Sequence, residues 1–224
     1  MRVLKVIIAR SIWLFPAAHM NPEGKAIDID LIEWLKKTYQ FQKYPSSAYD
    51  LDSETKSLAF SGGKFKSGYE KNGKERYVSL SLSIYPDGLV VNTESSTLEG
   101  DKFLEEGLTS VAQEFGLVSP AQIRKLYLSE MDVQLSQPIS FLNPKLEHLA
   151  SQIGELRKGS PVAFAFSGVT FLAEPSAQPT TPGVLIERKI NTDWKENIYY
   201  AKAPLPTHAH VQLLEEFEAI LGQH

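Results

Sequence analysis

Residues 77–91 read YVSLSLSIYPDGLVV, and the alternation of Val78, Leu80, Leu82 and Ile84 with Ser79, Ser81, Ser83 and Tyr85 decides the fold. A period of two sends successive side chains to opposite faces of a strand, so one face is apolar and the other carries hydroxyls. Pro86-Asp87-Gly88 supplies turn chemistry, and a second strand is expected through Val90–Glu94. The apolar face needs a cover, which leaves the question of what lies against the serines.

Working outward, the same string of elements is expected twice. The segment LAFSGGKF at 58–65 matches FAFSGVTF at 164–171 in five of eight positions at an offset of 106. That offset also carries Ile84 onto Ile190, Asp87 onto Asp193, Leu108 onto Leu214 and Phe115 onto Leu221. The first half reads as a strand over 2–14 and a helix over 28–42 with Ile29, Ile32, Leu35 and Tyr39 at helical spacing. Strands follow around 57–67 and through the serine segment, joined by a turn at Asn72-Gly73. After the 90–94 strand, a helix over 101–115 presents Leu104, Leu108, Val111 and Phe115. In the second half a strand over 125–136 precedes a helix opened by Asn143-Pro144. Strands are expected over 161–173, 184–191 and 197–203, with the loop EPSAQPTTPG after the first of them, and Thr207 caps a last helix.

The expected fold class is therefore α+β, a tandem duplication of a β-α-β-β-β-α unit. Repeats at 1–117 and 118–224 would pack as one compact body, joined by the short VSPAQ segment. Two helices per unit cover one face of an antiparallel sheet. The face carrying Ser79, Ser81, Ser83 and Tyr85 would then be open to water or to a partner. Paired ferredoxin-like units are the rival architecture.

SLSIYPDGLVVNTESS at 81–96, followed by a helix ending in VAQEFGL, resembles the repeat of the TATA-binding-protein fold. The resemblance implies a duplicated β-α-sheet-α unit with Tyr85 at a sheet-face aromatic position and Gly88 at the turn. It also implies that Val91 and Thr93 lie on the contact face. The pattern departs from the family where function is concerned. The chain is acidic, and serines with a single tyrosine stand where that family carries paired phenylalanine wedges.

Bulk properties agree with a folded, ordinary chain. It has 224 residues, 42% apolar and 22% charged, with a net charge of −4 divided evenly between the halves. That balance lacks the basic excess of a dedicated nucleic-acid binder. The absence of cysteine removes disulfides, thiolate nucleophiles and thiolate metal sites. The opening MRVLKVIIARSIWLFPAAHM is interrupted by Lys5 and Arg10 and reads as a buried strand rather than a leader. No apolar run has the length of a membrane span, so a cytoplasmic protein is expected.

Several stretches have chemical potential. SGGK at 61–64 lacks the spacing of a phosphate loop, and its glycines suit a bulge in a strand. Residues 62–77 carry Lys64, Lys66, Lys71, Lys74 and Arg76 against Glu70 and Glu75, with Phe65, Tyr69 and Tyr77 interleaved. That pattern could hold a phosphate backbone and stacked bases, or it could be a solvated edge hairpin. Asp50, Asp52 and Glu54 with Lys56 resemble a nuclease-like acid-x-Lys tail, whereas Asp28 and Asp30 suit a helix start. The five histidines form no metal or triad spacing, and His210 falls on Leu104 in the repeat. Trp34, Tyr39, Phe41, Tyr44 and Tyr49 serve either core packing or a protein contact.

The expectation that follows is a non-catalytic binding or scaffold protein with no cofactor, using Ser81, Ser83, Tyr85, Val91 and Thr93 for a protein partner. The alternative is a nucleic-acid binder using Lys64, Lys66, Lys71, Lys74 and Arg76. A third is a metal-dependent nuclease or phosphoesterase at Asp50, Asp52 or Glu54.

Overall fold

Alternation in the serine segment becomes a strand, Glu75–Tyr85, in which Val78, Leu80 and Leu82 are buried while Ser79 is exposed and Ser81 and Ser83 are half-buried. The computed structural model describes residues 1–25, 28–70, 73–156, 163–174 and 182–222. Among these, the chain order is β1 (Arg2–Leu14), α1 (Asp28–Tyr39), β2 (Leu58–Tyr69), β3 (Glu75–Tyr85), β4 (Gly88–Thr93) and α2 (Thr97–Phe115). Then follow β5 (Arg124–Gln134), α3 (Pro144–Leu156), β6 (Gly168–Phe171), β7 (Val184–Arg188), β8 (Ile198–Ala203) and α4 (Thr207–Leu221). Both halves thus have the order β-α-β-β-β-α, and the protein is α+β. Asn72 of the first expected turn, and residues 175–181 of the proline-rich loop, lie outside the described residues. No helix among the described residues is long and apolar enough to cross a membrane.

The chain divides into two compact units. One comprises Ile8–Ser129 with Leu205–Thr207, and the other Met1–Ile7, Glu130–Pro204 and His208–His224. Strands β1 and β5 each contribute to both units.

In the Ile8–Ser129 unit the sheet order is β2-β3-β4-β1-β5. A two-residue connection, Pro86-Asp87, sets the antiparallel β3–β4 register: Tyr85 pairs with Gly88, Leu82 with Val91 and Leu80 with Thr93. Strand β4 then pairs antiparallel with β1, Val91 against Ser11 and Asn92 against Arg10. Helix α1 buries Ile32, Leu35 and Tyr39, and α2 buries Phe103 and Leu104, against Trp13, Phe60, Phe65, Leu80, Leu82 and Val91. Both helices therefore lie on one face of this sheet, as binary patterning requires. Helix α2 starts at Thr97, four residues earlier than the apolar stripe suggests. Ser96 caps it by accepting the Glu99 N–H at 3.3 Å, a serine-to-glutamate spacing of a capping box. Polar ties fix the helix on its strands. The Ser11 hydroxyl donates to the Thr97 carbonyl at 3.0 Å, and the Trp13 indole N–H and Tyr127 hydroxyl both donate to Asp101, at 2.9 and 2.8 Å.

In the other unit the order is β1-β5-β8-β7-β6. Its core joins Met131, Val133, Leu135 and Ile139 to Ile186, Tyr199 and Ala201, closed by Leu214, Phe217 and Leu221 of α4. Helix α3 is less committed: Ala150 is buried, whereas Leu149, Ile153 and Leu156 are exposed. Strand β6 spans four described residues, shorter than its apolar run suggests.

The internal correspondence has a different offset near its end. Thr97 and Thr207 exchange bonds, each hydroxyl accepting the other's N–H at 3.0 Å across a separation of 110 residues. Counted from these first helical residues, buried Leu104 matches buried Leu214, and His210 matches Gly100 rather than Leu104. An offset of 106 for the β2 segment and 110 for the last helix means that the second half is four residues longer between them.

Two measurements bear on this architecture. Gly88 has φ of 154°, and a Cβ there would collide with the Trp13 carbonyl oxygen, so the β3–β4 turn and the β4–β1 pairing both need glycine. Gly88→Ala is expected to lower unfolding free energy by about 2–4 kcal/mol in urea titration. His210 is fully buried, and burial lowers its pKa to about 4. Because the folded value lies below the unfolded one, the neutral ring favours folding in full above pH ~6.5. That contribution is lost as pH falls toward 4, by roughly 3 kcal/mol. Stability measured from pH 7 to 4 should fall with that slope, and His210→Asn should flatten it.

Candidate functional site

The face of the Ile8–Ser129 sheet turned away from α1 and α2 is built by the residues that alternate with the core. Strand β3 supplies Ser79, Ser81, Ser83 and Tyr85; β4 supplies Val90 and Asn92; β1 supplies Arg10 and Ile12. Register brings Ser81 beside Asn92, Asn92 beside Arg10, Ser83 beside Val90 and Val90 beside Ile12. A row of hydrogen bonds follows across three strands. Arg10 Nε donates to Asn92 Oδ1 at 2.7 Å, and Asn92 Nδ2 donates to Ser81 Oγ at 3.3 Å. The guanidinium is thereby fixed in orientation on a half-buried surface, where directed polar groups have more effect than on a mobile tip.

Ser81, Ser83 and Tyr85 lie on this face. Val91 and Thr93 do not. Val91 is 0% exposed and Thr93 3%, because cross-strand partners point to the same side and theirs are Leu82 and Leu80. The Thr93 hydroxyl donates to the Ser96 carbonyl and accepts the Ser95 N–H, which closes the β4–α2 corner. Val90 and Asn92 occupy the positions on the face that the family resemblance gave to Val91 and Thr93.

The basic hairpin divides between two sides. Lys64 is exposed opposite Ser79, on the side of the serines. Lys66 pairs with Glu75, donates to the Tyr69 hydroxyl at 3.1 Å and lies 4.7 Å from that ring's centre. Glu75 raises the Lys66 pKa, and Lys66 lowers that of Glu75, so the pair stays ionised. Arg76 points to the helix side: it bonds the Ser67 hydroxyl at 2.9 Å and forms an ion pair with Glu99 of α2. Alternation along β3 sets this division, with Arg76 on the side of Val78 and Leu80, while bulges at Phe60/Gly63 and Lys66/Gly68 shift the register of β2 beside it. The Lys74 carbonyl accepts the Glu70 N–H at 2.7 Å across the hairpin. Lys71 lies outside the described residues. Much of the hairpin's positive charge is thus compensated within the protein.

The SGGK glycines sit in that first bulge. A Cβ on Gly63 would overlap the Phe41 ring, so close backbone approach explains the residue. Asp50 and Asp52 hold local turns. Asp50 accepts from the Ser46 N–H and hydroxyl at 2.8 and 2.9 Å. Asp52 accepts from the Thr55 N–H and hydroxyl, both at 2.8 Å, and from the Glu54 N–H at 3.1 Å. These bonds lower both carboxyl pKa values. Among the described residues no group of three or more His, Cys, Asp or Glu assembles with the geometry to hold a metal. Of the aromatic set, Tyr39 and Phe41 are core, and Trp34 packs edge-on against Tyr39 and Phe115. Tyr44 lies under Lys36 at 4.3 Å, and Tyr49 is 93% exposed.

Sequence reasoning missed a second polar row, in the other unit. On β5 and β8, Glu130 accepts from the Tyr200 hydroxyl at 2.7 Å and pairs with Lys202 at 3.3 Å. Buried Asp132 pairs with Lys189, and Arg2 donates to Gln134 at 2.9 Å. Burial, then the Glu130 bond, raises the Tyr200 pKa, so its hydroxyl remains a donor. The period-two sequence Glu130-x-Asp132-x-Gln134 was the available signal.

No family model and no curated protein matches the chain. Among solved structures the chain is similar to "Methanococcus jannaschii TBP", at 11% identity and a TM-score of 0.36, over 100% of this chain and 98% of that one. No residue of this chain takes a role from that likeness.

Asn92→Ala removes both bonds of the three-strand row. It is expected to cost about 1–2 kcal/mol in denaturant unfolding while leaving the circular dichroism spectrum unchanged.

Proposed function

We propose that this is a non-catalytic binding or scaffold protein of the cytoplasm that takes a protein partner on the sheet face carrying Ser81, Ser83 and Tyr85. Arg10, Asn92, Val90 and Ile12 complete that surface. The observation that supports the reading is the hydrogen-bonded row from Arg10 through Asn92 to Ser81. It presents an oriented guanidinium flanked by half-buried aliphatic side chains and hydroxyls, a mixture suited to the centre of a protein contact. The functional counterparts of acid–base or nucleophilic catalysis do not converge there. The tandem repeat, in this reading, supplies two sets of strands of one design with different open faces, one hydroxylated with an oriented arginine, the other rich in carboxylates and lysines.

The test is recovery of partners by the tagged protein from its native lysate, with and without nuclease treatment. A protein partner that survives nuclease, and is lost by Ser81→Arg and Tyr85→Ala variants of unchanged melting temperature, is the expected result. Recovery of nucleic acid that vanishes at moderate salt and on Lys64→Ala would sink the reading in favour of the hairpin. So would a partner retained by both face variants.

A further inference from the structure

The Ile8–Ser129 unit contains a cavity of about 270 Å³ between α1, α2 and the helix-covered face of the sheet. We propose that this cavity is a binding site for a small, uncharged, predominantly apolar molecule. Its floor is Leu82, Ile84 and Leu89, and its walls include Leu35, Phe103 and Leu108. The polar side chains of the lining are Asn21, Asp28 and Tyr39. Asn21 is already committed to a local turn: its amide donates to the Lys25 carbonyl at 2.9 Å and its oxygen accepts the Lys25 N–H at 3.0 Å. Asp28 is exposed and stands at the first turn of α1.

Volume and lining together select the ligand class. At about 30 Å³ per molecule the space would hold roughly nine waters, each wanting several polar partners. The walls supply few of these, although the space is partly open to solvent. An apolar occupant that displaces such poorly bonded water buries carbon surface and gives the lining side chains new dispersion contacts. The Asp28 carboxylate disfavours an anion, and the Tyr39 hydroxyl offers one directional contact beside Gly107. A small heteroaromatic or aliphatic alcohol satisfies all three conditions.

Gly107 is the structural reason for the space. A Cβ on it meets only the Tyr39 hydroxyl, at 3.5 Å, an ordinary contact distance. Glycine inside a long helix is costly relative to other residues, and the fold does not require it there. A larger residue would be accepted by the helix and would project into the cavity.

Indole is a suitable probe. On titration into the leucine-methyl-labelled wild-type protein, the Leu35, Leu82 and Leu108 methyl resonances should shift together and saturate, while Leu185 and Leu214 stay fixed. The melting temperature should rise with indole concentration. Gly107→Leu should melt higher than wild type and show neither response, and Ala17→Leu, at another point of the lining, should weaken both. Absence of saturable shifts in the wild-type protein overturns the proposal. Shifts centred on other leucines, or binding unchanged in a folded Gly107→Leu protein, overturn it equally.

Discussion

Leu82 and Val91 face each other across a two-residue turn, and the antiparallel register they define governs everything built on the Ile8–Ser129 sheet. Moving the pairing by one residue would exchange the faces, burying Ser81 and Asn92 and exposing two large aliphatic side chains. Several independent devices hold it in place. Pro86-Asp87 fixes the turn length, Gly88 allows the close pass against Trp13, and α2 clamps the far end through Ser11 and Thr93. With the register set, the core of Phe60, Phe65, Phe103 and Leu104 and the polar row on the opposite side follow from alternation alone.

That dependence also explains what the sequence disclosed. The serine strand and the turn were legible because each is written in local chemistry: period-two alternation and a proline-aspartate-glycine string. The last helix does begin at Thr207, but that hydroxyl accepts the Thr97 N–H of α2 rather than an N–H of its own helix. Val91 and Thr93 were placed on the wrong face because their positions came from a family resemblance instead of from counting residues across the turn. Pairing Tyr85 with Gly88 already implies Leu82 with Val91. The early start of α2 was equally available in Ser96 and Glu99, but the apolar stripe, which begins later, drew the boundary inward. Ile29 matched the helical spacing of α1 and is nonetheless 68% exposed, since a spacing pattern does not say where a covering sheet ends.

Other features were illegible for a physical reason. The Glu130–Tyr200 bond joins residues 70 apart, and nothing local to either side chain announces the other. The same holds for Arg76 and Glu99, 23 residues apart on a strand and a helix. A run of lysines therefore looked like an electrostatic surface when part of its charge is consumed at home. The two sheet faces end up chemically unlike despite their shared element order. One has an arginine held by neutral amide and hydroxyl groups, and the other has carboxylates interleaved with tyrosine and lysines.

The bounds of the compact units bear on how the chain is made. The unit centred on Ile8–Ser129 also contains Leu205–Thr207, and its counterpart reaches back to Met1–Ile7. On the ribosome, the earlier-synthesised unit therefore lacks its Thr97–Thr207 hydrogen-bond exchange until residue 207 has emerged, long after its five strands and both helices are available. Its last cap arrives with α4. Neither unit can be finished before the other is nearly complete, so a vectorially growing chain acquires its final cooperativity late, and in both places at nearly the same moment.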